Sequence, residues 1–475
     1  MRLAKTSIVV FTSGQFSTLV GFVATFYIAS YLGPETLGAY SVAVGVLYWV
    51  YLPASAVDSA VNKRVSEQVD QGEILSAGAL LNTVIALSVI TCILLFPQRV
   101  ESYVGHPVSI EMATLVFFSF AANFMSAVLH GQKKVAQASI IWTSGRVVRT
   151  GLQIGLTLLL GLGVSGLLWG HSLSFLVATA FAVTINSVRP TWPSREHFRR
   201  LFEYARYSWL GQLSVKAFNW LDTVILALFV SSTLIGIYQA AWTMASALSV
   251  VSSSIGTTLF PTFSELSTDN RYDEISELCT EGLSFAGIFM IPGLAGALTV
   301  GPRVLEIYGP EYGQGALILV LLVIARLTNA YNGLFKNTIN AIDRPDIGFR
   351  INAVAVASNV ALNFTLIPLF GWYGAAIGTT SSATIGLLFG YYWVNQIIPI
   401  RVPYREIGLQ VVASSIMVLA VFGLSPVLDS GRIETVVLVL LAAGVYSIAL
   451  LILSSTVRQK TVSILSDYPY FRALL

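Results

Sequence analysis

Residues 163–174 read GVSGLLWGHSLS and residues 371–382 read GWYGAAIGTTSS. The pattern GxxGxxxGx[ST]xS therefore occurs twice, 208 residues apart (371 against 163). Its members are Gly163, Gly166, Gly170, Ser172 and Ser174 in one copy, and Gly371, Gly374, Gly378, Thr380 and Ser382 in the other. Small residues at steps of three and four let apolar helices approach closely. Two earlier pairs follow the same order. Gly14-Gln15-Phe16-Ser17 resembles Gly211-Gln212-Leu213-Ser214, and Gly38-Ala39-Tyr40 matches Gly236-Ile237-Tyr238. The chain reads as two related helical halves.

The composition says where those helices sit. Of 475 residues, 55% are apolar and 11% are charged, and mean hydropathy is +0.74. A soluble domain carries roughly a quarter charged residues, so this chain spans a membrane. Disorder needs low hydrophobicity and high net charge, which is the opposite case. A transmembrane β-barrel alternates polar and apolar residues, whereas these apolar runs are continuous. The net charge of +3 points to no nucleic-acid partner. Cys92 and Cys279 lie in apolar runs and read as buried small residues rather than a disulfide. The run from Ile8 is too long for a signal-peptide core and reads as a first span.

About 20 apolar residues cross a bilayer. That ruler gives fourteen intervals: 8–31, 41–62, 77–97, 110–131, 139–160, 164–187, 207–230, 234–259, 279–300, 313–335, 348–369, 374–397, 406–427 and 434–456. Basic residues test the count. With the N-terminus cytoplasmic, the outer loops hold only Arg99, Arg303 and Arg432, and the spans hold Arg146, Arg149, Lys216 and Arg326. The other 20 of the 27 Lys and Arg fall on the cytoplasmic side. The expected fold is an all-α integral membrane protein of about fourteen transmembrane helices, multi-pass in the cell membrane, with both termini cytoplasmic. Spans 1–6 (residues 1–187) and 7–12 (207–398) form two six-helix lobes, joined by a basic linker at 188–206 and followed by two extra helices and a tail (399–475). Six is even, so the repeats are parallel, as in transporters that rock around a midplane site. The basic, aromatic stretch 188–206 reads as a helix on the inner leaflet, and the acidic stretch 265–281 as a solvated loop. The loops are too short for a catalytic domain. GxxxxGK[ST], HExxH and CxxC are all absent, so an enzyme, a cofactor and a metal site are not expected.

Charges inside a membrane need a partner, a hydrated cavity or a route to the interface. Arg146 and Arg149, a turn apart, share one face of span 5. Lys216 and Asp222 lie in span 7, and Arg326 opens a stripe with Asn329, Asn332, Lys336 and Asn340 in span 10. Asp58 ends span 2, and Asn359 and Asn363 pair in span 11. The functional reading is a hydrated cavity, basic on balance, that receives an anionic head group through Arg149, Lys216, Arg326 and Arg146. Asp222, Asp58, Asn329, Asn359 and Asn363 would be its other polar groups, or the seat of a coupling ion. The structural reading is that Arg146 snorkels, Asp58 is solvated and the asparagines are polar glue between helices. His130 and His171 more commonly satisfy local hydrogen bonds.

Leu32-Gly33-Pro34-Glu35 followed by Gly38-Ala39-Tyr40 resembles the turn after the first span of Wzx-type polysaccharide flippases. Gly236-Ile237-Tyr238-Gln239-Ala240-Ala241 resembles a segment of their eighth span. Asn359 to Asn363, with Leu366-Ile367-Pro368-Leu369-Phe370-Gly371-Trp372-Tyr373-Gly374-Ala375-Ala376, is similar to their NxxlNxxLIPxxGxxGAA stretch. The resemblance runs to about residue 398. It implies the multidrug/oligosaccharidyl-lipid/polysaccharide exporter superfamily, with two six-helix lobes facing as a V, MATE-like, plus two helices. The implied activity is flipping a polyprenyl-phosphate- or polyprenyl-diphosphate-linked oligosaccharide between leaflets. The partners would be that substrate, membrane lipids and glycan-assembly enzymes. The alternative is a MATE-like multidrug antiporter, whose cavity would favour acidic groups. Span 1 has no charge after Lys5, so no family cation transfers there.

Overall fold

The computed structural model describes the backbone of residues 2–425, 428 and 431–466, and their side chains except at 2–8, 11, 207, 209–219, 251, 253, 257 and 464–466. Its helices are α1 (Arg2–Tyr27), α2 (Gly33–Val50), α3 (Leu52–Ser66), α4 (Gln71–Leu95), α5 (Pro97–Val104), α6 (Ser109–Gly131), α7 (Val135–Leu160), α8 (Gly163–Ile185) and α9 (Arg195–Leu226). They continue with α10 (Ser232–Leu248), α11 (Val250–Thr268), α12 (Tyr272–Leu305), α13 (Ala316–Ala341), α14 (Pro345–Phe370), α15 (Trp372–Ile397), α16 (Tyr404–Leu424), α17 (Arg432–Leu453) and α18 (Ser455–Ser466). No strand occurs among the described residues. Nine of the described helical segments are long and apolar enough to cross a membrane by length and composition. Each of the fourteen expected intervals falls on a helix or a bent helix pair, which is consistent with fourteen crossings.

Spans 2 and 8 each break midway, and they are partners in the repeat. Span 2 breaks between α2 and α3 at Tyr51 (φ −78, ψ −12), and span 8 breaks between α10 and α11 at Ser249 (φ −83, ψ −7). The two breaks lie 198 residues apart (249 against 51), the offset of Gly38 and Gly236. Pro53 in the first turn of α3 explains the first break, because proline cannot donate the backbone bond. No proline marks the second.

The repeated glycine motif closes the same kind of hairpin in both halves. A Cβ added at Gly170 would lie 2.8 Å from the Gln153 backbone nitrogen of α7; one added at Gly374 would lie 2.1 Å from the Leu366 oxygen of α14. Only glycine fits these approaches. The hydroxyls of the motif make matching bonds within their own helices. Ser172 donates to the Leu168 carbonyl and Thr380 to that of Ala376, both at 2.8 Å. Ser174 donates to the His171 carbonyl at 2.7 Å and Ser382 to that of Thr379 at 3.0 Å. Gly371 joins α14 to α15 at φ +56, ψ −134, a conformation side chains avoid.

The chain packs as two compact units, Met1–Gln239 and Ala240–Leu475. The first has a core of Val61, Val65, Ile74, Val128, Leu129 and Leu201. The second is built on Phe263, Ile275, Cys279, Ile339, Ile351 and Val394. Within it, α16 and α17 pack together and onto α12, burying Met417, Leu438 and Tyr446. Of the two cysteines, both free, Cys279 is buried as expected but Cys92 is exposed on the apolar surface of α4.

Two expected segments differ. Residues 195–206 are not a separate surface helix but the first turns of α9, which runs unbroken for 32 residues, roughly 48 Å. Leu201 is wholly buried in the first core. Arg200 bonds Asp70 at 3.1 Å, and Arg199 pairs with Glu196 and Glu203 along its own helix. These i,i+3 and i,i+4 pairs let a charged stretch stay helical. Residues 265–281 are likewise not a loop. They end α11 and begin α12 around a short turn, with Ile275 and Cys279 at zero exposure.

Candidate functional site

In the first unit, α7 brings Arg146 and Arg149 together, as their spacing predicts. Arg146 Nη1 donates to the Ser17 carbonyl of α1 at 3.3 Å, so it reaches across the bundle instead of toward an interface. Arg149 Nη1 lies 3.4 Å from His171 Nε2 of α8. Guanidinium only donates, so Nε2 accepts and the ring proton sits on Nδ1. That nitrogen bonds the Tyr40 hydroxyl at 3.0 Å, and Gln153 Nε2 donates to the same oxygen at 2.9 Å. The Tyr40 oxygen accepts twice and keeps its own proton to donate. Arg149 Nε is buried without a hydrogen-bond partner among the described residues. Neither arginine is in an ion pair there. Two cations a turn apart, backed by a fixed imidazole and a phenol, can take an anion with several oxygens.

Sequence reasoning singled out the arginines and missed Tyr40 and Gln153. The signal was there. Tyr40 and Tyr238 occupy the same place in the repeat, and the hydroxyl of each bonds a polar side chain on another helix. Tyr238 donates to Asp222 Oδ2 at 2.6 Å, and Asp222 is buried in α9. Asp58 is not solvated: Tyr51 donates to one carboxylate oxygen and Asn82 Nδ2 to the other at 3.0 Å. The side chain of Lys216 lies outside the described residues. His130 satisfies the local reading, bonding the Ser126 carbonyl at 2.8 Å.

In the second unit, the α13 stripe divides. Arg326 lies 4.1 Å from the centre of the Trp242 ring and donates to Ser246 Oγ at 2.7 Å. Trp242 is a second residue the sequence reading passed over. Asn329 Nδ2 is buried without a bond among the described residues. Asn332 faces Gly386 and Gly390 of α15, where an added Cβ would meet its amide at 3.1 and 2.5 Å. Lys336 donates to Asn352 of α14 at 3.1 Å. Asn359 Nδ2 bonds Ser382 Oγ at 3.1 Å and Thr379 Oγ1 at 3.3 Å, and Asn363 lies opposite Gly378. Both asparagines join α14 to α15. No group of His, Cys, Asp and Glu among the described residues could hold a metal ion.

Known proteins share this sequence and fold. The family of polysaccharide biosynthesis proteins matches residues 3–267. A "Probable flippase AglR" of Haloferax volcanii is 30% identical over 472 residues, covering 98% of this chain and 99% of the relative. The solved lipid II flippase MurJ, in an inward closed conformation, superposes with a TM-score of 0.79 at 16% identity over 94% of this chain and 98% of that one. An inward-facing MATE multidrug transporter of the MOP superfamily gives 0.67 at 15% identity over 82% and 98%. These two structures establish the superfamily fold, and the sequence matches go further: the chain belongs to the polysaccharide biosynthesis protein family.

Proposed function

We propose that the protein is a flippase. It carries a polyprenyl-phosphate- or polyprenyl-diphosphate-linked oligosaccharide from the cytoplasmic to the outer leaflet by alternating access, for glycan assembly. The observation that carries this is the Arg146–Arg149 pair, which has no acidic partner among the described residues although Arg149 Nε is buried. A cation without counter-charge at a partly exposed position in a membrane helix is costly, and a phosphate entering beside it relieves that cost. The full-length relationship to a protein named a flippase supports the same reading. Arg326 and Lys216 would be further phosphate cations, with Asp222 and Asn329 as polar groups for sugars or a coupling ion. Asp58, Asn359 and Asn363 keep the packing roles described above. The lobes would be 1–187 and 207–398, joined by 188–206, with 399–475 appended and both termini cytoplasmic. Glycan-assembly enzymes would supply and consume the substrate.

The experiment is gene deletion followed by mass spectrometry of lipid-linked oligosaccharides in each leaflet. A completed glycan accumulating on the cytoplasmic leaflet, with surface glycan falling, supports the flippase. Outer-leaflet single units point instead to an enzyme of polymerisation or transfer. Unchanged lipids and glycans move a MATE-like antiporter to the front. The MATE likeness is one of fold.

A further inference from the structure

A narrow apolar slot lies between α7 and α8, its α7 wall running from Gln137 to Val148 and ending beside Arg149. Its volume is about 330 Å³, and its walls include Ile141, Ser144, Gly145 and Val148 of α7 and Ala178 and Phe181 of α8. Both ends are fixed. At one, Gly170 presses against Gln153, where an added Cβ would sit 2.8 Å from backbone. At the other, Lys134 Nζ bonds the Ile185 carbonyl at 2.6 Å and Ser187 Oγ at 3.0 Å, bridging the two helices. Ile185 and Gln137 line that end of the slot. From Gln137 to Val148 the helix rises roughly 16 Å. With about 330 Å³ of space, the mean cross-section is on the order of 20 Å², the width of one hydrocarbon chain.

The rim beside Lys134 is basic. Lys134 uses two of its three ammonium protons on the bridge and has one left. Lys133 beside it and Arg189 just beyond Ser187 are exposed. None of the three joins an ion pair among the described residues. A chain-wide apolar slot ending at unpaired cations matches a lipid with a negative head group, and basic pockets between membrane helices hold such head groups. We propose that the slot is a binding site for an anionic phospholipid, with one acyl chain between α7 and α8 and the phosphate at Lys134, Lys133 and Arg189. The lipid would splint the helix that carries Arg146 and Arg149.

The test is thermal unfolding of the full chain in detergent, titrated with dioleoylphosphatidylglycerol, dioleoylphosphatidylcholine or undecaprenyl phosphate. The expected result is a saturable rise in Tm with phosphatidylglycerol and none with phosphatidylcholine. Ser144→Leu, which fills the slot from an exposed position, removes the rise, and Lys133→Gln weakens it. Val177→Phe, on the α8 wall of the slot, is the second filling variant, should Ser144→Leu fail to fold. Native mass spectrometry then reads one retained phosphatidylglycerol, lost in the filled variant. Equal rises with both phospholipids overturn the proposal, as does a full rise in a folded, slot-filled variant. Displacement of phosphatidylglycerol by undecaprenyl phosphate, lost on filling, also overturns it and makes the slot a carrier-lipid site. Glycan transport plays no part in these readouts, so they stand or fall apart from the flippase reading.

Discussion

At the residue scale, the first unit turns on how Arg149 is held. His171 Nε2 accepts from the guanidinium while Nδ1 engages Tyr40, which Gln153 also bonds. A lysine supplies the charge but not the planar fork. Arg149→Gln is therefore expected to lower flipping of a lipid-linked oligosaccharide in proteoliposomes by about tenfold or more, since a charge-assisted bond contributes roughly 1.5–3 kcal/mol. Arg149→Lys should fall between wild type and Arg149→Gln. A fully active Arg149→Gln would remove the guanidinium from the mechanism. His171→Phe leaves the Arg149 guanidinium without its acceptor and the Tyr40 oxygen without one of its two donors, which costs about 1–3 kcal/mol, so a lower Tm should accompany its lost activity. Those arginines were legible in the sequence because charges stand out in an apolar span. Tyr40 was marked only by its match to Tyr238 in the repeat, and Gln153 was not legible, because one span gives no sign of which neutral polar group meets which. In the second unit, Trp242 was hidden for a similar reason: an aromatic residue in a membrane helix is unremarkable until a guanidinium is seen over its face. Trp242→Leu should weaken the seat of Arg326 by about 0.5–2 kcal/mol, read as a Tm decrease with little change in expression.

At the element scale, glycines separate structural from neutral positions. A Cβ on Gly38 would lie 1.7 Å from the Ser232 carbonyl oxygen, and one on Gly236 would lie 1.9 Å from that of Pro34. The two repeat-matched glycines thus cross each other where α2 meets the start of α10. Backbone cannot yield as a flexible side chain would, so Gly38→Ala and Gly236→Ala should each cost about 1–3 kcal/mol. Gly14 belongs to the same repeat but has nothing within 4 Å of an added Cβ, so Gly14→Ala should leave Tm unchanged. Loss of stability at Gly14 and none at Gly38 would contradict the crossing. The helices themselves were legible because hydropathy and Gly-Pro punctuation mark an apolar span. Helix ends were less so. The charged starts of α9 and α12 read as linker and loop because sequence alone does not reveal that Arg200 finds Asp70, or that Ile275 is buried. The break at Ser249 was hidden too, since only its counterpart beside Pro53 carries a proline.

At the scale of the whole molecule, the repeat, the charge bias and the helix count make one joint claim about orientation. Six spans in each half, an even number, would turn matched segments to the same side. Lys63 and Arg64 lie in the last turn of α3, Lys133 and Lys134 precede α7, and Arg344 precedes α14, and all are expected on the cytoplasmic side. Arg99 and Arg432 belong to the opposite side. The bias sets orientation because Lys and Arg resist crossing during insertion. Single cysteines at positions 99, 133, 344, 432 and 458, placed in a chain with Cys92→Ser and Cys279→Ala, test all three parts. In intact cells a membrane-impermeant maleimide should label 99 and 432. It should reach 133, 344 and 458 only after permeabilisation. Labelling of 133 and 344 from outside would invert the molecule and remove the inner-leaflet start of transport. Labelling of 458 from outside, with the other four as expected, would leave an odd number of crossings and make α17, which lies between 432 and 458, a helix that does not span. Cys92 lies exposed on the apolar surface of α4 and Cys279 has zero exposure, so both replacements should be mild and the labelling should report the native topology.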